Sequence, residues 1–141
     1  MAAYYKGSFY QEATIKDLEG AVLSSITGME QGGDGDEVRF NGADGKVWLM
    51  YHEQYCCETV RLEDVNGNVE DLIGVPIVSA VEVESGDTPP QGDPEYVYSY
   101  TWTFYRVSTI KGTVVLRWYG ESNGYYSERV DICRLDKKKE W

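Results

Sequence analysis

One histidine, His52, serves a chain of 141 residues. Almost any acid–base or nucleophilic set would have to be built around that imidazole, and no such set is visible, so no catalytic residue is assigned. Cysteine is as sparse: Cys56 and Cys57 are neighbours and Cys133 is far away. That is not the even, spaced framework of a secreted disulfide scaffold, and it fits a reducing compartment. Basic residues are also few, 13 against 24 acidic ones, for a net charge of −11. Nucleic-acid polymers hold proteins through counterion release driven by Lys and Arg, so none is expected as a partner. No stretch approaches the roughly 18 to 20 apolar residues of a spanning helix. Met1 to Tyr10 has neither the basic start nor the apolar core of a secretory signal. The expectation is a cytoplasmic protein with no membrane partner.

What is present is folding material. Apolar residues make up 42% of the chain, with 12 Tyr, 4 Trp and 3 Phe, enough for one domain spanning residues 1–141. The acidic excess has two readings, solubility or an acidic face that meets a basic partner. Strand-forming runs dominate, at Ala21–Ile26, Glu37–Phe40, Lys46–Tyr51, Thr59–Val65, Val75–Glu84, Tyr96–Val107, Thr113–Tyr119 and Tyr125–Ile132. Between them lie hairpin-type breaks: Gly32 to Gly35, Asn41-Gly42, Asn66-Gly67, Lys111-Gly112 and Asn123-Gly124. Ser85 to Pro94, with three prolines and two glycines, reads as an exposed and mobile loop.

Two short helices are expected, at Thr14–Gly20 and Asn68–Gly74, each opened by a capping side chain and closed by glycine. The two segments match: cap, apolar residue, Asp-Leu, one variable position, Gly, then a strand with Leu23 or Ile77 in equivalent places. Further on, Met50-Tyr51-His52-Glu53 resembles Trp118-Tyr119-Gly120-Glu121, and Glu58-Thr59-Val60 resembles Glu128-Arg129-Val130. Either the chain is an internal duplication or capped turns before strands look alike by chance. The fold class is α+β and β-rich, an antiparallel sheet of hairpins with two short helices.

The stretch His52 to Cys57 superficially resembles a zinc-protease motif, but the second histidine is missing and no spaced ligands occur elsewhere, so no metal and no cofactor is assigned. Cys56 and Cys57 read as small buried residues at a strand end. Either one paired with His52 is the alternative nucleophile, and strand alternation lets at most one reach the ring. Glu63, Asp64, Glu70 and Asp71 flank a turn and read as solvated. Two arginines stand out because they sit in apolar strands: Arg117 in Val114–Tyr119 and Arg61 in Thr59–Glu63. A guanidinium can capture phosphate bidentately while a ring of Tyr98, Tyr100, Trp102 or Trp118 stacks on a base or on the guanidinium. The competing reading pairs both arginines with carboxylates on neighbouring strands.

Two blocks carry a family resemblance. The first runs from His52-Glu53-Gln54-Tyr55-Cys56-Cys57-Glu58 through Arg61-Leu62-Glu63-Asp64 to Asp71-Leu72-Ile73-Gly74. The second runs from Tyr100-Thr101-Trp102-Thr103-Phe104-Tyr105 to Trp118-Tyr119-Gly120-Glu121-Ser122-Asn123-Gly124-Tyr125-Tyr126-Ser127-Glu128. Together they resemble small phage proteins that include the first type of Thoeris anti-defence protein, over about two thirds of the chain.

The resemblance implies a sponge, a homo-oligomer of at least two subunits in the host bacterial cytoplasm. Such a protein binds a cyclic ADP-ribose-type or cyclic oligonucleotide immune signal at subunit interfaces without cleaving it, and the effector stays silent. Arg61 and Arg117 are the positions matched to the phosphate-binding arginines, and Tyr98 and Tyr100 are candidates for the base. The segment from Ser85 to Ser99 departs from the pattern of relatives. The alternative is an acidic inhibitor of a host defence nuclease, of the anti-CRISPR kind, and a third reading is a minor virion component.

Overall fold

Thr14 and Asn68 each open a single helical turn that a glycine closes six residues later. In the computed structural model, which describes residues 10–29, 37–85 and 99–135, these turns are Ile15–Leu18 and Val69–Leu72. Both are 3-10: the Asp17 N–H donates to the Thr14 carbonyl and the Asp71 N–H to the Asn68 carbonyl. Five residues between cap and breaker are too few to sustain an α-helix. The helices expected here are therefore 3-10 turns, and among the described residues there is no α-helix. Each turn buries one leucine, Leu18 or Leu72. Gly20 and Gly74 close them with φ of +90° and +84°, the left-handed region that glycine enters without penalty.

Among the described residues there are nine strands, of which β2 to β8 follow expected runs: β1 (Tyr10–Glu12), β2 (Leu23–Thr27), β3 (Val38–Gly42), β4 (Val47–Tyr51), β5 (Thr59–Asn66), β6 (Ser79–Ser85), β7 (Ser99–Thr109), β8 (Gly112–Ser122) and β9 (Asp131–Leu135). They form two antiparallel sheets instead of one, in the orders β1-β9-β4-β3-β2 and β5-β8-β7-β6. Val38, Phe40, Trp48 and Met50 of the first sheet share one core with Tyr105, Val107, Leu116 and Trp118 of the second. β7 and β8 form a long hairpin turned at Ile110-Lys111.

The strand order has a repeat in it. The first turn leads into β2, β3, β4 and β5, and the second into β6, β7, β8 and β9. Each run of three consecutive strands forms a meander that is completed by the fourth strand of the other run: β9 joins β4 and β5 joins β8. The halves are thus interlocked. Their entry turns bond reciprocally, with the Gly20 N–H donating to the Ile77 carbonyl at 2.8 Å and the Gly74 N–H to the Leu23 carbonyl at 2.9 Å.

Two connections carry the exchange, residues 52–58 from β4 to β5 and residues 123–130 from β8 to β9. The second was expected to be strand, as part of Tyr125–Ile132. It leaves one sheet for the other instead, so its residues before β9 pair with no ladder and Tyr125 is 89% exposed. β1 was not anticipated; it is only three residues long and is held by β9. The Gly32 to Gly35 break and the loop residues 86–94 lie outside the described residues.

Candidate functional site

Because side chains alternate across a strand and directly opposed residues share a face, register alone places the arginines. One row on the second sheet's outer face reads Trp102, Tyr119, Arg61 across β7, β8 and β5, and the next reads Phe104, Arg117, Asp64. Tyr100, opposite Glu121, lies on the same face. Arg61, Arg117 and Tyr100 therefore share one face of the sheet, whereas Tyr98 lies outside the described residues.

The two arginines differ in what they touch. Arg61 Nε donates to Glu63 Oε2 at 2.9 Å, a half-exposed pair within one strand. Arg117 stacks instead: its Cζ lies 4.7 Å from the centre of the Trp102 ring. Its Nε is buried without an acceptor, and no ion pair joins it to Asp64 across the ladder. A β-bulge between Leu62 and Asp64 displaces that register. Trp102 is backed by Tyr119, with ring centres 4.7 Å apart and planes at 54°, and both are buried. Arg61 thus pairs with a carboxylate of its own strand and not, as expected, of a neighbouring one, and among the described residues Arg117 pairs with none.

His52 is occupied. Nδ1 lies 2.8 Å from the Arg129 carbonyl and Nε2 lies 2.8 Å from Glu58 Oε2, with the imidazole 3% and the carboxylate 0% exposed. Both partners are acceptors, so the ring satisfies both only when each nitrogen carries a proton. Glu58 also accepts from the backbone N–H groups of Tyr55 and Cys56 at 3.0 and 2.9 Å. Burial pushes the Glu58 carboxyl upward, but the bonds from His52, Cys56 and Tyr55 outweigh it and hold the pKa at about 2. The cluster is a clip: through His52 it ties the 52–58 connection to the 123–130 connection. In the second half Gly120 stands where the clip has His52. A Cβ there would lie 2.5 Å from the Glu128 carbonyl oxygen, and Glu128 bonds the hydroxyls of Thr101 and Ser122.

Cys56 and Cys57 are exposed and joined to each other, which corrects their reading as buried strand-end residues. Neither is a thiol beside His52. Cys133 is buried, and that burial pushes its thiol up to about 11, leaving it neutral. Among the described residues no group of three or more His, Cys, Asp or Glu is placed to hold a metal ion, and no helix is long and apolar enough to cross a membrane.

A cavity of about 920 Å³ opens elsewhere, where the two sheets meet beside the first 3-10 turn. None of Arg61, Arg117 and Tyr100 lines it. Its walls carry the carboxylates of Glu12, Asp17, Glu53, Glu82 and Asp131 against one guanidinium, that of Arg129, with the rings of Tyr51, Tyr55 and Tyr105 between them. Burial and then the neighbouring Glu82 charge push the Tyr105 phenol up, so it stays protonated. Such walls repel phosphate and attract cations. Sequence reasoning missed this cleft because its residues come from five separated stretches of chain. It missed Glu58 although the Glu58/Glu128 correspondence was readable.

No curated protein and no solved structure matches the chain. Residues 14–132, from the cap of the first turn into β9, match a family described as Domain of unknown function (DUF7448). That span holds both interlocked halves and both arginines, and the chain belongs to the DUF7448 family.

Proposed function

We propose that this protein is a phage anti-defence sponge that binds a cyclic ADP-ribose-type or cyclic oligonucleotide immune signal and withholds it, unchanged, from its effector. The observation that carries the reading is Arg117: a guanidinium in a strand, set over an indole and without a carboxylate partner among the described residues, is suited to an anionic ligand. Tyr100 shares its face, which gives a phosphate-bearing nucleotide a second point of contact, whereas Arg61 on that face is already paired with Glu63. The reading carries with it a homo-oligomer of at least two subunits in the host bacterial cytoplasm, and a non-enzymatic mode of action. His52 agrees with that mode, since both of its nitrogens are already engaged. The chain is also an internal duplication in this reading, supported by the matched strand orders and the reciprocal turn bonds.

The test is a thermal-shift panel of cyclic ADP-ribose isomers and cyclic dinucleotides, followed by mass spectrometry of the released ligand. At least one compound is expected to stabilise the protein and to be recovered intact. Linear ADP-ribose or ribose phosphate formed at turnover would make the protein a hydrolase instead.

One observation favours a second reading. The acidic cleft fits a basic protein partner, as an inhibitor of a host defence nuclease requires. Its capture would weaken steeply with salt and with neutralisation of Glu12, Glu53 and Glu82, and would be indifferent to Arg117→Ala.

A further inference from the structure

We infer that Trp102 is a positioning residue that turns Arg117 into a single-phosphate receptor, with Arg61 outside that receptor. The inference rests on the anion-binding part of the sponge reading and narrows it to one guanidinium.

All five N–H donors of a guanidinium lie in its plane, and its face makes no hydrogen bonds. Arg117 Cζ lies over the Trp102 ring, 4.7 Å from its centre. The N–H groups that point away from the ring form a planar fork that matches two oxygens of one phosphate. The indole is itself fixed: it is buried, the ring of Tyr119 leans on it at 4.7 Å, and register sets the two opposite each other. The side chain that stacks on the indole is thus held on a rigid sheet, which suits a receptor better than a loop does.

Two contrasts sharpen the assignment. Arg61 occupies the same row as Trp102 and Tyr119, but Glu63 already neutralises it at 2.9 Å. Arg117 has Asp64 across the ladder without an ion pair and a buried Nε without an acceptor. A guanidinium paired with no carboxylate among the described residues is suited to an anion on that face. One uncompensated guanidinium balances one negative charge, so the group recognised is a single phosphate of the ligand.

The experiment is a titration of the full-length protein with inorganic pyrophosphate, read on the Arg117 Nε–H resonance in a proton–nitrogen spectrum and assigned by its loss in Arg117→Lys. In the wild type this resonance is expected upfield, under the ring current of Trp102, and to move saturably with pyrophosphate. Trp102→Leu should weaken the titration about tenfold while Trp102→Phe, which restores an aromatic face, recovers most of it. Arg61→Ala should titrate as the wild type does. A Trp102→Leu protein that binds like wild type overturns the inference. So does a wild-type Nε–H resonance that is unshifted by the ring or unmoved by pyrophosphate, and this result needs no variant to fold. If pyrophosphate binds as described while no cyclic nucleotide does, the receptor stands and the sponge reading falls.

Discussion

Replacing Glu58 with alanine removes an acceptor that three donors share: the imidazole of His52 at 2.8 Å and the backbone N–H groups of Tyr55 and Cys56 at 3.0 and 2.9 Å. The carboxylate is fully buried, so the donors gain no water in exchange. Removing a buried, hydrogen-bonded carboxylate leaves its donors unmet at about 1–3 kcal/mol each, about 3–5 kcal/mol in all. For a domain of this size that lowers Tm by roughly 10–20 °C. Glu58→Gln keeps one acceptor oxygen and should lose about half as much.

The pH dependence has a definite sign. The folded pKa of Glu58 is depressed to about 2, whereas an unfolded glutamate titrates near about 4.3. The stabilisation is therefore fully present above about pH 5 and is lost as pH falls toward 2. Urea titrations followed by tryptophan fluorescence, run at steps from pH 7 to pH 2.5, should show the wild type and Glu58→Gln converging as acid is added. A gap that stays constant across that range, or a Glu58→Ala protein within about 0.5 kcal/mol of wild type at pH 7, would refute the clip.

Other outcomes follow from the same geometry. Arg117→Ala should abolish most ligand affinity, about 2–5 kcal/mol by calorimetry on folded protein, and Arg117→Lys should restore little because an ammonium lacks the planar fork. Gly120→Ala places a Cβ 2.5 Å from the Glu128 carbonyl oxygen and should cost about 1–3 kcal/mol in chemical denaturation, through overpacking of the second connection. Gly74→Ala meets no atom within 4 Å; its cost, about 1–2 kcal/mol, is that of the positive φ alone.

Local patterns in the sequence were legible and long-range pairings were not. The caps at Thr14 and Asn68, the glycines that end both turns and most strand runs are local chemistry. They were readable because each residue's own preference agrees with the fold. Alternation along Thr59–Val65 or Thr113–Tyr119 shows which residues share a face, but a period of two does not say which strand lies alongside. The exchange of β5 and β9 was therefore out of reach, and with it the division into two sheets.

The same limit applied to the residues that carry chemistry. Arg117 stood out as a cation in an apolar strand, and Trp102 was among the rings that could stack on it. Only register shows that the two lie on one face. Glu63 as the partner of Arg61 was within reach of local pattern, since residues two apart on a strand face the same way, but carboxylates were sought on neighbouring strands. Cys56 and Cys57 read as buried because a strand end and a connection between sheets look alike in sequence. Glu58 looked like one loop carboxylate among many, and its match to Glu128 was the one available signal.

Differential scanning of the wild-type protein with cyclic ADP-ribose isomers and cyclic dinucleotides, each at about 100 times the Kd expected of a sponge, tests the central claim most directly. Binding confined to the native state at that ratio contributes about 2.7 kcal/mol, an upward shift in Tm of roughly 5–10 °C. The account predicts such a shift for at least one cyclic nucleotide and its absence in Arg117→Ala. A panel in which no cyclic nucleotide moves Tm, or in which Arg117→Ala responds as the wild type does, would contradict it.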